Sequence, residues 1–399
     1  MDEERIRRIL TINSGSSSVK FSLFAMGRAE KRELSGAIDR IGLKSALFRV
    51  VSGTGETLVE KHQDLPDHDA AFDLFFSWLS GSPAGSALDA AGHRIVHGGR
   101  HFLLPHIVTQ QVMQELSRLI PLAPDHLPHE LKAIRAVERR HPSLPQVVSF
   151  DTAFHRQMPK TAQMYPLPRF LWTEGLHRYG FHGLSYEYIM AELARQTGAG
   201  AAASRIIIAH LGSGASMVAV RGGKSLDTTM GFTPAGGLVM GTRPGDLDPG
   251  VILYLMQEKG LRPSTVADIV NHHAGLQAVS GMTSDMQELL AAEATESHAA
   301  EAIALFCYQA KKFLGAFAAV LGGVDMLIFT GGIGENAPKI RERICEGLEF
   351  LGICLDPAAN NESRSIISGR DAPVTVRVMK TDEDLMISRH TLRLIMKEA

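Results

Sequence analysis

Cysteine is scarce in this sequence. Three are present among 399 residues, Cys307, Cys345 and Cys354, and no two of them stand in CxxC spacing. An odd set without that spacing argues against a disulfide framework and against a zinc knuckle. We therefore expect a reducing compartment, the cytoplasm.

An excess of charge of one sign is also lacking. The sequence has 41 Lys and Arg against 43 Asp and Glu, which gives a formal net charge of −2. A near-neutral chain offers no sequence-wide electrostatic basis for binding nucleic acid or an anionic membrane. We expect a small-molecule partner, with no nucleic acid and no membrane.

Long uninterrupted apolar runs are missing as well. The N-terminal residues mix acids and bases and lack the apolar region of a signal peptide. The richest apolar stretch, residues 313–329, contains Asp325 and follows Lys311 and Lys312, so it falls short of a membrane span. The 45% of hydrophobic residues instead predict a large globular core, divided by length into two or three domains.

The sequence shows one plan twice. Residues 9–13 and 19–26 are typical of strands on either side of the turn SGSS, and further strands are predicted at 32–38 and 46–51. A second strand at 205–210 leads into LGSGAS, a strand at 217–221, the hairpin signal Gly222-Gly223 and a strand from Lys224. Two copies of one domain facing a shared cleft explain this pattern, with a boundary near Phe150.

The remaining elements are predicted from periodicity. Helices are expected at residues 69–79, 112–119, 130–140, 297–321, 338–349 and 383–397, strands at 93–96, 146–150 and 326–330, and a loop at GGIGEN. The last helix is expected to pack back on the first domain.

Three glycine-rich turns each follow an apolar strand, at residues 13–20, 210–216 and 331–336. Glycine and serine let backbone N–H groups approach phosphate oxygens, and Lys20 adds a positive charge. None of the turns matches the P-loop or the Rossmann fingerprint. One such turn alone is better explained as an ordinary tight turn, whereas three together favour a nucleotide cleft.

Five charged or titratable residues lie in sequence contexts that favour chemistry. Arg94 in GHRIVHGG and Arg243 in MGTRPGDLDPG can each hold a carboxylate or phosphate in a bidentate fork. Asp151 ends the strand VVSFD, with His155 in the following turn, and His182 lies in RYGFHG. The alternatives are surface ion pairing for the arginines, a helix N-cap for Asp151 and a structural role for His182.

Eight segments together resemble the acetate kinase family in order and spacing, over residues 9–390. They are NSGSSSVKF, GHRIVHGG, FDTAFH, RYGFHG, AHLGSGAS, GFTPAGGLVMGTRPGDLDPG, FTGGIGEN and TDEDLMI. The resemblance implies an α/β fold of two duplicated actin-like (ribonuclease H-like) domains with ATP in the cleft between them. The expected domains are residues 1–150, with 384–399 packing back on them, and 151–383.

The same resemblance implies a role for each matched residue. Asp151, His182, Arg243 and Arg94 would be catalytic. Arg94, Val96, His126, Phe181 and Pro234 would bind the acid. Asn13 and Glu383 would hold Mg²⁺, with Mn²⁺ as an alternative ion. The nucleotide, ATP or ADP, would be bound by Lys20, His210, Leu211, Gly212, Ser213, Gly214, Asp285, Met286, Gln287, Gly331, Gly332, Ile333, Gly334 and Glu335. A homodimer is implied too.

The implied reaction is in-line attack of acetate on ATP, giving acetyl phosphate and ADP. Some residues depart from the family pattern: Asp125 replaces a leucine of the acyl pocket, Ala235 and Gly236 are smaller than expected, and Ser213 and Gln287 differ near the nucleotide. The alternatives are a propionate or butyrate kinase, a non-catalytic ATP-gated binding protein, and an enzyme that uses phosphate or pyrophosphate.

Overall fold

The computed structural model of the chain describes residues 5–82 and 88–398. The chain divides into two compact units. The first contains the described residues up to Ala153 together with those from Asp382 onward, and the second is Phe154–Thr381. The domain bounds expected from the sequence, 1–150 and 151–383, stay a prediction.

The first unit is built on an eight-stranded sheet. Its strands are β1 (Arg7–Ser14), β2 (Ser18–Met26), β3 (Glu30–Asp39), β4 (Ala46–Ser52), β5 (Thr57–Gln63), β6 (Ala90–Ile95), β7 (His106–Ile107) and β8 (Gln146–Phe150). Their order across the sheet is β5-β4-β3-β2-β1-β6-β8-β7. Strands β1 to β5 pair antiparallel, whereas β6 runs parallel to β1 and β8 runs parallel to β6.

Four α-helices accompany this sheet in the described residues: α1 (His68–Ser80), α2 (Gln110–Arg118), α3 (Leu127–Arg140) and α16 (Glu383–Glu398). Helix α1 begins where Asp67 accepts a hydrogen bond from the backbone N–H of Ala70, which satisfies one donor of the first turn. Its buried phenylalanines face the sheet, and the rings of Phe75 and Phe21 lie 4.2 Å apart between centroids. Burial of such aromatic side chains stabilises the packing of α1 on the sheet.

The second unit contains a five-stranded sheet with the order β11-β10-β9-β12-β13. The strands are β9 (Arg205–His210), β10 (Ser216–Arg221), β11 (Lys224–Thr228), β12 (Met326–Thr330) and β13 (Thr375–Val378). The first three pair antiparallel, and β12 runs parallel to both β9 and β13. The arrangement β3-β2-β1-β6-β8 of the first sheet has the same order and directions, so the predicted duplicated α/β fold is confirmed.

The helices of the second unit are α4 (Lys160–Gln163), α5 (Arg169–Thr173), α6 (Gly183–Thr197), α7 (Ala199–Ala202), α8 (Pro249–Gln257), α9 (Pro263–His272), α10 (Gly275–Ser280), α11 (Met286–Ala292), α12 (Ser297–Leu321), α13 (Gly331–Asn336), α14 (Pro338–Cys345) and α15 (Pro357–Asn361). The prediction of a loop at GGIGEN was wrong, because this segment is α13. Gly331 has φ +78°, which turns the chain from β12 directly into a helix.

Within the described residues, one helix, α12, is long and apolar enough to cross a membrane by length and composition alone. Core helices of soluble proteins have the same length and composition. One side of α12 packs against α10, α11, α14 and β10.

Candidate active site

Arg94 and Asp151 form a two-pronged ion pair in the first unit. The Nε and Nη2 atoms of Arg94 donate to the two carboxylate oxygens of Asp151, at 3.0 and 2.5 Å. Its Nη1 atom donates to the side-chain oxygen of Asn13 at 3.2 Å. Asp151 is 1% exposed, so the pair fixes the plane of the guanidinium.

The topology of the sheet explains why these three residues meet. Asn13, Arg94 and Asp151 lie at the carboxyl ends of β1, β6 and β8, which are adjacent parallel strands. Asp151 follows β8 and its backbone N–H donates to the carbonyl of Ile95 at 3.0 Å. Parallel strands bring their carboxyl ends to one edge of a sheet, where sites of α/β proteins are formed. The N-cap alternative for Asp151 is not needed to explain its position.

Helix α16 adds Glu383 to this group. Its carboxylate oxygen lies 3.7 Å from Nε of Arg94. The close packing of α16 on β6 requires glycine at position 92, because a Cβ there would lie 2.4 Å from Oγ1 of Thr391 and 2.6 Å from Cγ2 of Ile387. Gly92 therefore lets the end of α16 approach Arg94.

The charged residues of this group shift one another's pKa values. Burial raises the pKa of Glu383, and the positive charge of Arg94 only partly offsets this. Burial would lower the pKa of Arg94, but the carboxylates of Asp151 and Glu383 outweigh it, so the pKa of Arg94 lies above its ordinary value. Arg94 thus stays a cation at every working pH.

Glu130 is a buried residue near this group that the sequence analysis missed. Its two carboxylate oxygens accept from the backbone N–H of Val96, at 3.1 and 3.2 Å. Burial raises the pKa of Glu130 to about 8, despite the opposing charge of Arg94. The signal was present in the sequence, because Glu130 shares the buried face of α3 with Leu127, Leu131 and Ile134.

The other predicted residues of the first unit lie nearby in the fold. Val96 is buried directly after β6, and His126 occupies the position before the first residue of α3. Lys20 faces Asn13 across the β1–β2 hairpin in the strand register. Asp125, one residue before His126, is half-buried and raises the pKa of His129, although burial leaves that pKa lowered overall.

In the second unit, His182 is held in a strained backbone conformation. It has φ +58° and ψ +24°, in the left-handed region, immediately before α6. Its Nδ1 atom shares a hydrogen bond with the Ser216 hydroxyl at 2.9 Å, and its ring stacks on His210 with 4.4 Å between centroids. The Nδ1 atom of His210 contacts the Ser185 hydroxyl at 2.8 Å. The two imidazoles are therefore fixed side by side.

His155 positions the residue before His182. Its Nε2 atom lies 3.1 Å from the carbonyl of Phe181 and its Nδ1 atom lies 2.9 Å from the Ser225 hydroxyl. Since a carbonyl only accepts, the Nε2 atom carries the proton and Nδ1 accepts from Ser225. Burial lowers the pKa of His155 to about 4, which keeps the ring neutral.

Gly214 brings Arg243 and His182 to one place. A Cβ at position 214 would lie 2.8 Å from Nη2 of Arg243 and 3.3 Å from Nε2 of His182. The Nη1 atom of Arg243 donates to the carbonyl of Pro234 at 2.6 Å, which orients the guanidinium. Two cationic or proton-donating groups therefore surround a turn of bare backbone, an arrangement that suits an anion.

A cavity of about 450 Å³ lies beside this turn. Seven residues predicted to bind the nucleotide are among those that line it: Gly212, Ser213, Asp285, Met286, Gln287, Gly332 and Ile333. Ser284, Leu290, Asn336 and Ala337 also line it and were not predicted. This size and mixture of backbone, apolar and polar groups suit a small-molecule ligand.

Leu211 and Glu335, which were also predicted to bind the nucleotide, are not among the residues that line this cavity. Leu211 is buried and its carbonyl accepts from the N–H groups of Ile333 and Gly334, at 2.8 and 3.1 Å. The carboxylate of Glu335 turns back to accept from the backbone N–H groups of Gly331 and Thr381, at 3.0 and 3.3 Å. These contacts hold α13 in place.

Comparison with known proteins shows the family to which this chain belongs. Residues 8–389 match the model of the acetokinase family. This chain belongs to the acetokinase family. An acetate kinase of Rhodopseudomonas palustris is 45% identical to this acetokinase over 394 residues, which cover 97% of this chain and 98% of that protein.

Solved structures agree with the acetokinase assignment. A crystal structure of Porphyromonas gingivalis acetate kinase matches with a TM-score of 0.89 at 39% identity, and covers 98% of this chain and 100% of the other. A propionate kinase from Francisella tularensis matches with a TM-score of 0.92 at 33% identity, and covers 97% and 100% respectively. The expected fold and family are thereby confirmed.

Proposed function

We propose that this acetokinase transfers the γ-phosphoryl group of ATP to a carboxylate oxygen of acetate, reversibly, giving acetyl phosphate and ADP. The fork between Arg94 and Asp151 is the observation on which the proposal depends most. Full-length similarity to acetate kinases supports the same reaction.

Arg94 is proposed to bind the carboxylate of the substrate. Asp151 and Asn13 accept from three of the five N–H groups of its guanidinium, so capacity remains for an incoming oxygen. Asp151 is proposed as the residue that orients Arg94. Val96, His126, Phe181 and Pro234 are proposed to line the acyl pocket.

Arg243 and His182 are proposed to stabilise the phosphoryl group as it transfers. Charge spreads over the three equatorial oxygens of that group, and donors fixed in advance lower the barrier. The support is the position of Arg243 Nη2 and His182 Nε2 around Gly214. No general base is required, because acetate is already ionised at neutral pH.

Asn13 and Glu383 are proposed to hold Mg²⁺. Their side-chain oxygens both lie near the guanidinium of Arg94, and oxygen donors are the ligands that Mg²⁺ prefers. No cluster of three or more His, Cys, Asp or Glu suited to a metal occurs in the described part of the chain. Mg²⁺ is commonly held by one or two protein oxygen ligands together with substrate phosphates and water. When bound, the ion would neutralise phosphate charge.

The 450 Å³ cavity is proposed as the nucleotide site. Its volume favours a nucleotide over pyrophosphate as phosphoryl donor. Lys20 and His210 are proposed to contribute near the phosphates.

A second candidate function is a propionate kinase. The structural match to the Francisella propionate kinase favours it, together with the small residues Ala235 and Gly236 after Pro234. The chemistry would be the same, and only the volume of the acyl pocket would differ.

We further propose a homodimer in the cytoplasm. Helix α8 supports the dimer, because it is apolar and contains no buried residue: Val251 is 42%, Leu253 53% and Tyr254 51% exposed. Light scattering should give a mass of two chains for the parent protein and a mass of one chain for Leu253→Asp. A monomeric parent protein would contradict the dimer.

All three cysteines are free thiols, which fits the proposed reducing compartment, the cytoplasm.

Hydroxamate trapping tests the proposed reaction. Purified protein with MgATP and acetate, propionate, butyrate or glycolate should form an acyl phosphate that hydroxylamine converts to a coloured hydroxamate. A strong acetate signal supports acetate kinase, and a signal only with propionate supports the second candidate. No signal with any acid, although nucleotide binds, would favour a non-catalytic binding protein.

A further inference from the structure

Arg341 is a fully buried arginine that the proposed reaction does not use. It lies on α14 and is 0% exposed. Burial lowers the pKa of Arg341 to about 10, which still leaves the guanidinium charged at neutral pH. Burying such a charge is costly unless every donor is satisfied.

All five N–H groups of Arg341 have acceptors. Nη1 donates to the carbonyls of Gly334 and Glu335, at 2.9 and 3.0 Å. Nε donates to the side-chain oxygen of Asn360 at 2.8 Å, and Nη2 to the carbonyl of Asn360 at 2.7 Å and to the Ser363 hydroxyl at 3.0 Å. None of these five acceptors carries a formal charge.

The acceptors lie at the carboxyl ends of two short helices. Gly334 and Glu335 are in the last turn of α13, and Asn360 is in the last turn of α15. Carbonyls of a last turn have no partner within their own helix and bear partial negative charge. The guanidinium therefore caps both helices and fixes α13 to α15 through α14.

Residues at both ends of α13 line the proposed nucleotide cavity. Gly332 and Ile333 line the cavity, and so do Asn336 and Ala337, which follow the capped carbonyls. A shift of α13 would therefore change the shape of the cavity wall. Carbonyls held at about 3 Å by a planar fork leave little freedom for such a shift.

We propose that Arg341 is a positioning residue for the nucleotide, which it affects by fixing α13 through the carbonyls of Gly334 and Glu335. This inference rests on the proposed nucleotide site. It predicts a selective effect: nucleotide affinity depends on the fork of Arg341, whereas affinity for the carboxylic acid does not.

The test compares Arg341→Lys with Arg343→Gln as a matched control. Lysine keeps the charge but has one nitrogen with three donors, so it cannot span α13 and α15. Arg343 lies on the same helix and pairs with Glu293 instead, with Nη1 to Oε1 at 2.5 Å. Calorimetry with MgADP gives the nucleotide Kd, and steady-state assays give KM for ATP, KM for acetate and kcat.

We expect Arg341→Lys to raise the Kd for MgADP and the KM for ATP by about tenfold or more, with KM for acetate changed by less than about threefold. Arg343→Gln should change none of these beyond about twofold. An Arg341→Lys protein that binds MgADP as tightly as the parent would overturn the proposal, and so would a parallel rise in both KM values.

Asn360→Ala provides a second variant in case Arg341→Lys does not fold. It removes one acceptor of the guanidinium while Arg341 stays in place, and it should raise the Kd for MgADP in the same direction. An unchanged Kd in folded Asn360→Ala protein would contradict the proposal. Because calorimetry needs no turnover, a parent protein that binds MgADP but phosphorylates no acid would sink the proposed reaction without deciding the role of Arg341.

Discussion

Arg94 donates one hydrogen bond to each carboxylate oxygen of Asp151, at 3.0 and 2.5 Å. With both of its oxygens engaged in this way, Asp151 is suited to hold the guanidinium rather than to abstract a proton. Removal of either partner would break a charge-assisted fork around a carboxylate that is 1% exposed, which is far costlier than loss of a surface ion pair.

Arg94→Ala is expected to lower kcat/KM for acetate by on the order of 10³-fold or more, because the cation that holds the substrate is lost. Hydroxamate trapping measures the rate. Arg49→Ala is a suitable control, since Arg49 forms an exposed pair with Glu60 at 3.3 Å and should leave turnover unchanged. Near-normal turnover of Arg94→Ala would remove Arg94 from the mechanism.

Arg243→Ala is expected to lower kcat by on the order of 10³-fold, with a smaller change in the Kd for MgADP. The reason is that Arg243 is proposed to act on the phosphoryl group only during transfer. Single-turnover kinetics separates the chemical step from binding. If the variant lost nucleotide affinity and kept its kcat, Arg243 would be a binding residue instead.

Gly214→Ala is expected to reduce kcat at little cost in stability. The new Cβ would lie 2.8 Å from Nη2 of Arg243, the mobile end of a flexible side chain, so the guanidinium would move aside. Gly315→Ala is the control: nothing lies within 4 Å of a Cβ there, and α12 should gain about 1 kcal/mol. Thermal unfolding and turnover of both variants check this, and full activity of Gly214→Ala would contradict it.

Glu130 should make the protein less stable as pH rises. Between pH 4.5 and 8 the folded chain keeps a proton on Glu130 that the unfolded chain has released, so the free energy of unfolding falls across that window. The loss is on the order of 5 kcal/mol at most. Urea unfolding of Glu130→Gln at several pH values should show a flatter profile than the parent. Parallel profiles would mean that Glu130 is ionised throughout.

His155 should make the protein less stable as pH falls. Its folded pKa of about 4 lies below the ordinary 6.5, so the unfolded chain takes up a proton first and stability falls as pH drops through this range. The expected loss is on the order of 3 kcal/mol. His155→Gln should weaken the acid dependence and, through the carbonyl of Phe181, also lower kcat. Unchanged kcat in a folded variant would make His155 purely structural.

The duplicated fold could be predicted from the sequence because its signals are local. The turns NSGSSS and HLGSGAS each lie between strands whose alternation or apolar runs are clear, and β8, β9 and β12 begin and end as predicted. Short strands at the sheet edges, β7 and β13, lacked such signals because two and four residues carry little periodicity.

Contacts between distant residues could not be predicted. His155 meets Ser225, 70 positions later, and Arg341 meets Asn360 across a chain reversal. Each depends on how whole elements pack, which no local pattern encodes. The loop prediction for GGIGEN was wrong for a related reason. Its glycines favour a loop, but the distant carbonyl of Leu211 accepts from backbone N–H groups in its first turn and stabilises a helix. The catalytic, binding and metal roles of the predicted residues stay predictions.

The position of α16 in the first unit affects how the chain folds during synthesis. The ribosome makes Phe154–Thr381 before Asp382, so the second unit has its complete sheet while the first still lacks the helix that packs on β1, β2, β6 and β8. Until α16 has been made, the apolar surface that Ile387 later covers stays open to water and to chaperones. Glu383 arrives with that same helix, so a nascent chain has the pair of Arg94 and Asp151 before it has Glu383.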